Sequence, residues 1–275
     1  MNTYKLPGMS ISVNGTPSRI RFALEAMFQL CPMTEEKADV HLEGRGHYNN
    51  KIDELLPEWL VEKINDAHIG SDTLMTFGPE GQIAVITICE GLLFCVWTSM
   101  NSYDRIQFIG GIKKEGRTIG PIYSVLTPIL REYFLARGHL LLHGAAAICP
   151  NEIGLLLIAP SGGGKTTTAL SLVRKGARLL GDDLVVLQNS TDKITAFGIP
   201  KPLNLRDKTI SFFEELQGLP DSLCSHTGFL SKLIPPQKIY GPNCMVEHAR
   251  MHVVYFVNLT EEGPSVRPLS TPEAL

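Results

Sequence analysis

No apolar run in the 275-residue chain is long enough to cross a bilayer, and the first residues, Met1-Asn2-Thr3-Tyr4-Lys5-Leu6-Pro7, lack the apolar core of a secretory signal. A cytoplasmic protein with no membrane partner is therefore expected. Basic residues are not in excess: 25 Lys and Arg stand against 28 Asp and Glu, so no electrostatic footprint argues for nucleic acid. Six cysteines are scattered without C-x-x-C spacing, which removes a zinc ribbon or a disulfide framework and leaves them as small buried hydrophobes. The eight histidines are dispersed too; the nearest pair, His248 and His252, would share a helix face, but Met251–Val257 reads as a strand, where such a pair is farther apart, so a metal site is not expected there. Internal repeats and low-complexity tracts are absent. An apolar fraction of 44% remains, enough to bury a full core in two units.

The chemistry is concentrated in Ala159-Pro160-Ser161-Gly162-Gly163-Gly164-Lys165-Thr166. Leu155 to Ile158 is an apolar run suited to a buried strand, and Thr166 to Val173 carries apolar residues at helical spacing, so a strand passes through glycines into a helix. Three successive glycines permit positive φ and bring backbone N–H groups to phosphate oxygens at a helix N-terminus. Ser161, Gly162, Gly163, Gly164, Lys165, Thr166 and Thr167 are thus the expected nucleotide-binding residues. Lys165 would reach the β- and γ-phosphates, and Thr166 would offer its hydroxyl to Mg²⁺. Ala159 stands where the pattern G-x-x-x-x-G-K-S/T has its first glycine.

Arg174 and Lys175 close the helix, Gly176 ends it, and Ala177 to Leu180 reads as a strand expected to return beside the first. It runs into Gly181-Asp182-Asp183, placing two carboxylates near the loop. An Asp-Asp pair is more commonly a solvated turn. Its position directly after this strand favours phosphate and metal chemistry instead.

The order His143-Gly144, Gly164-Lys165-Thr166-Thr167, then Lys175 to Asp183 resembles the catalytic domain of HPr kinase/phosphorylase, with the same spacing from loop lysine to acidic pair. The similarity spans roughly residues 138–260. A closer resemblance is to the HPr-kinase-related proteins of peptide-maturation clusters, the SynChlorMet cassette and lasso-peptide kinases, on the segment Ile199 to Arg206. It implies an α/β P-loop domain with a mixed sheet, of the HPr kinase/PEP carboxykinase type, using ATP and Mg²⁺. It further implies that Asp182 is the catalytic acid/base, that Asp183 serves the metal with Thr166, and that His143 stands beside the acid/base, with Lys165 as the catalytic cation. The isoleucine-rich glycine segment that supports dephosphorylation in the bifunctional enzymes is not visible, so that activity is not carried over.

Residues 1–112 read as a smaller α+β domain that could recognise the acceptor, and residues 113–275 as the catalytic domain. In the first, strands are expected at Met9–Val13, before an Asn14-Gly15 turn, and at Ala38–Leu42. Helices are expected from Thr16-Pro17 to near Leu30 and from Asp53 to Asn65, followed by an antiparallel meander at 73–77, 82–89, 92–98 and 104–109. In the second, a helix over Ile119–Ala136 leads into a strand over Leu140–Ile148, which forms a hairpin with Leu155–Ile158. A further hairpin joins Leu184–Leu187 to Ile194–Phe197. Gly218–Asn243 reads as a long loop, and Met251–Val257 as a strand. Lys201, Arg206 and Arg250 could face the nucleotide or the acceptor, although a solvated charge is the default for each. Thr271-Pro272-Glu273-Ala274 signals a helix start, so the chain is expected to be shortened or to fray at its end. The function expected is a serine/threonine kinase for a protein or peptide acceptor, and a homo-oligomer is compatible with it. A P-loop NTPase switch and a non-catalytic nucleotide-binding scaffold are the alternatives.

Overall fold

The computed structural model describes residues 2–16, 21, 24–25, 27–28, 30–47, 55–66, 73–89, 92–111, 119–219, 231–258 and 265–270. The first part builds one mixed sheet from β1 (Asn2–Leu6), β2 (Met9–Thr16), β3 (Val40–His47), β4 (Leu74–Phe77), β5 (Gln82–Cys89), β6 (Leu92–Ser99) and β7 (Arg105–Gly111), in the order β1-β2-β3-β7-β6-β5-β4. β4 to β7 are the antiparallel meander that the turn residues mark. β3 pairs in parallel with both β7 and β2, contacts between distant segments that local patterning does not encode. They also overrule a turn signal: Asn14 and Gly15 continue β2 opposite Glu43 and Gly44. The helix expected from Thr16-Pro17 to Leu30 lies largely outside the described residues.

Strand alternation sends successive side chains to opposite faces, and each face has its own helix. Ala84 and Ile86 point toward α1 (Glu58–Asp66), whose Leu60 is fully buried. Ile83 and Val85 point the other way, into a core shared with Ile122, Val125, Leu126, Ile129, Leu130, Tyr133 and Phe134 of α2 (Ile119–Leu135). That core continues into Leu141, Leu184 and Val186.

The second part comprises β8 (His139–Leu142), β9 (Gly144–Ile148), β10 (Gly154–Ile158), α3 (Lys165–Arg174), β11 (Arg178–Gly181), β12 (Val185–Ser190), β13 (Lys193–Gly198) and β14 (Leu203–Arg206). The short helices α4 (Asp207–Ile210) and α5 (Glu214–Gln217) follow, then β15 (Ser231–Ile234), α6 (Gln237–Tyr240), β16 (His248–Met251) and β17 (Val253–Phe256). Two four-stranded sheets, β11-β9-β10-β17 and β16-β13-β12-β8, face each other across Ala146, Ile148, Leu156, Leu180, Val185, Ala196, Ala249 and Met251. The opposite face of the first packs α3 through Ala145, Leu157, Leu179, Ala169, Leu170 and Val173.

Three expectations are corrected. The strand over Leu140–Ile148 is two strands in different sheets, changing sheet at His143, and Met251–Val257 divides in the same way at His252. Each run must supply both layers of the sandwich, and one residue out of strand conformation suffices to change layer. β11 does not lie beside β10: β9 stands between them, antiparallel to both, because the tight β9–β10 hairpin occupies that edge first. Part of the presumed loop is ordered structure, since β15 pairs with β14 and buries Ile234 against Leu203 and Leu205, while residues 220–230 lie outside the described set. Residues 271–275, with their helix signal, lie outside it too.

Candidate functional site

Strand polarity gathers the chemistry at one margin. Ile158 at the end of β10 pairs with Gly144 at the start of β9, and β11 ends there too at Gly181, so His143, the glycine loop and the two aspartates emerge together.

The loop has the conformation its glycines permit, with φ 80° at Gly162 and 94° at Gly164. A Cβ on Gly163 would stand 2.8 Å from the methyl of Ala159, so the alanine in place of the first glycine fits because position 163 carries no side chain. No side chain caps the N-terminus of α3, which leaves its first-turn amides as donors for an anion. Lys165 is buried and donates to the carbonyls of Ala159 at 2.7 Å and Pro160 at 3.1 Å. Burial lowers its pKa, with Asp183 and Asp182 pulling the other way. Ser161 is exposed and accepts from Arg206 Nη2 at 3.4 Å. Thr167 Oγ1 lies 3.2 Å from Thr209 Oγ1, so its hydroxyl engages α4.

The two aspartates diverge. Asp183 sits at φ 77°, a left-handed conformation that Asp tolerates better than most residues, and the two carboxylates take different partners. Asp182, only 3% exposed, lies with its carboxylate oxygens 3.0 and 2.9 Å from Thr166 Oγ1. Asp183 instead accepts from Lys201 Nζ at 2.6 Å. Burial and the Asp183 charge push the Asp182 pKa up to about 7, against Lys201, Thr166 and Lys165. Burial also opposes ionisation of Asp183, but the charge and hydrogen bond of Lys201, with His143 and Lys165, outweigh it and hold its pKa below the ordinary value. His143 is exposed at the sheet change, beside Gly144, whose N–H donates to the Asp183 carbonyl at 3.2 Å. The protein around its ring still lowers its pKa by desolvation, with Asp183 acting in the opposite sense.

Thr166 and Asp182 form an all-oxygen pair of the kind Mg²⁺ takes, a cation that usually keeps only one or two protein ligands beside phosphate and water. Among the described residues no group of three His, Cys, Asp or Glu side chains could hold a metal by itself. Lys201, a candidate to face the nucleotide or the acceptor for which a solvated charge is the default, is instead 10% exposed at its side chain and paired with Asp183. Arg250, the third basic candidate, is exposed on β16.

The chain is 30% identical over 121 residues to the HPr kinase/phosphorylase of Bacillus pumilus, a stretch covering 44% of this chain and 33% of that protein. Over that stretch the two are distantly homologous. The chain thus spans about a third of the length of the curated relative it matches. The structure of the Hpr(Ser) kinase/phosphatase from Coxiella burnetii is 18% identical, covering 42% of this chain and 62% of that one at a TM-score of 0.28, too low to define a shared fold. No protein-family model matches the chain.

Proposed function

We propose that the chain is an ATP-dependent kinase that transfers the γ-phosphate to a serine or threonine hydroxyl of a protein or peptide. The observation that carries this reading is the convergence of the loop lysine, the Thr166–Asp182 pair and the Lys201-held Asp183 at one sheet margin. Phosphoryl transfer asks the protein for alignment and charge compensation more than covalent chemistry, and these residues supply both.

The geometry favours exchanging the roles that the family resemblance implies for the aspartates. Asp182, against the hydroxyl that serves Mg²⁺ in such loops, is the metal-side carboxylate. Asp183, held by Lys201 and within electrostatic reach of His143, is the base: it takes the acceptor hydroxyl proton as the new O–P bond forms and the β,γ-bridging bond breaks, leaving ADP. Lys165 releases the loop carbonyls to meet the phosphates, and the uncapped amides of α3 orient them. Mg²⁺, when bound, neutralises charge on the phosphate oxygens. Residues 113–275 would form the catalytic domain, and residues 1–112 would take part in acceptor recognition. A cytoplasmic kinase of the peptide-maturation type is the form we favour.

The test is incubation with Mg²⁺-ATP and candidate acceptor peptides, read by mass spectrometry. A phosphate adduct that disappears in Asp183→Asn supports the kinase. Phosphate release without any adduct supports the NTPase switch, and nucleotide binding without turnover supports the scaffold.

A further inference from the structure

Lys201 has no part in the pattern that marks the loop and the acidic pair, yet the fold fixes it in place. It lies between Pro200 and Pro202, so its own backbone is held extended by the following proline and φ of both neighbours is preset. The Pro200 carbonyl accepts a hydrogen bond from the Cys31 thiol of the first part of the chain, with sulfur 3.7 Å away, and Pro202 is buried. From this stiff segment the long side chain passes over the ring of Tyr123 on α2, with Nζ 5.1 Å from its centroid, and ends on Asp183. A surface lysine would gain little from such a partner, because exposed ion pairs are nearly neutral in net effect. Here both members are largely enclosed, and the ion pair, at 2.6 Å, ties the Asp183 carboxylate to a segment the prolines hold stiff.

We propose that Lys201 is a positioning residue for the transfer step: it aims the Asp183 carboxylate at the acceptor oxygen and acts only through that carboxylate. This rests on the kinase reading and adds to it a hydrogen-bonded cation, outside the loop, on which the base depends. Lys165 does not duplicate it, since its ammonium is spent on the loop carbonyls and then on phosphate.

The acceptor being unidentified, water serves as the probe, and steady-state phosphate release from Mg²⁺-ATP is measured. Lys201→Met should lower kcat by about 100-fold, the scale of a misplaced general base, with KM for Mg²⁺-ATP changed by less than about threefold. Lys201→Arg, which keeps a cation at that point, should recover most of the loss. The deciding measurement is a double-mutant cycle. Added to Asp183→Asn, Lys201→Met should cost less than about twofold more, because the group it positions has already been removed. The double variant carries no orphaned charge, so it remains informative even where Lys201→Met alone folds poorly. Additive losses in the cycle, or a Lys201→Met enzyme as fast as wild type, would overturn the positioning role while leaving the kinase reading intact. A wild-type chain that binds Mg²⁺-ATP but neither releases phosphate nor labels any acceptor peptide overturns both.

Discussion

Lys165 Nζ donates to the carbonyl of Ala159, 2.7 Å away, so the cation that would meet phosphate in the proposed function is folded back on its own loop. Two carbonyls satisfy an ammonium that burial would otherwise penalise, and they keep the loop glycines in their positive-φ conformation. Entry of a polyphosphate replaces two neutral acceptors with charged ones, which favours the exchange.

Lys165→Ala should therefore weaken ATP binding by at least about tenfold, equivalent to about 1.4 kcal/mol, and lower kcat by about 100-fold or more through loss of charge stabilisation in the transition state. Calorimetric titration and phosphate-release assays read the two effects separately. Unchanged affinity and turnover would remove the loop from the mechanism.

The divergent aspartates give opposite signatures. Asp182→Asn should raise the Mg²⁺ concentration needed for half-maximal turnover, whereas Asp183→Asn should leave Mg²⁺-ATP binding near wild type and lower turnover by about 100-fold or more. A reversed outcome would restore the roles that the family resemblance implies.

Metal-free stability should depend on pH through Asp182. Its pKa, raised by burial and the Asp183 charge from 3.8 to about 7, means that the folded chain holds a proton which the unfolded chain releases. That contribution is complete below the unfolded value and is lost as pH rises through about 7. Asp183, depressed by Lys201, works in the other sense and loses its contribution only as pH falls into the acid range. In chelator, Tm should fall from about pH 4 to about pH 7, and the fall should be shallower in Asp182→Asn. Parallel profiles for the two proteins would assign the slope to another group.

Gly198→Ala tests the packing behind the site. A Cβ there would overlap the Leu180 carbonyl of the facing sheet, immediately before Gly181-Asp182. Backbone cannot yield as a side-chain tip can, so a loss of about 3 kcal/mol or more is expected in urea unfolding. A loss below about 1 kcal/mol would show that the sheets can part at this point.

Much of the site could be read from residues because its signals are local. Apolar Leu155 to Ile158, the glycines and the 17-residue step from Lys165 to Asp182 lie within one strand, turn, helix and strand. What escaped depends on partners far along the chain. Nothing in Leu140 to Ile148 announces that Leu142 and Gly144 belong to different sheets, because an apolar run looks the same in either layer. The parallel alignment of β3 with β2 and β7 is likewise a property of the pairing and of neither strand alone. Lys201 fell between these cases, since its prolines were visible but its carboxylate, 18 residues away, was not.

Helix α2 gives its apolar residues to the first sheet and to the second part of the molecule at once, and Tyr123, under Lys201, rides on the same helix. If residues 113–275 form the proposed catalytic domain, that domain leans on the first sheet through this helix. Cut free, it would show water a stripe running from Ile122 to Phe134, and Tyr123, under Lys201, would ride on a helix stripped of its backing. Whatever pressure shapes the first sheet, whether binding, drift or engineering, also bears on the footing of the chemistry.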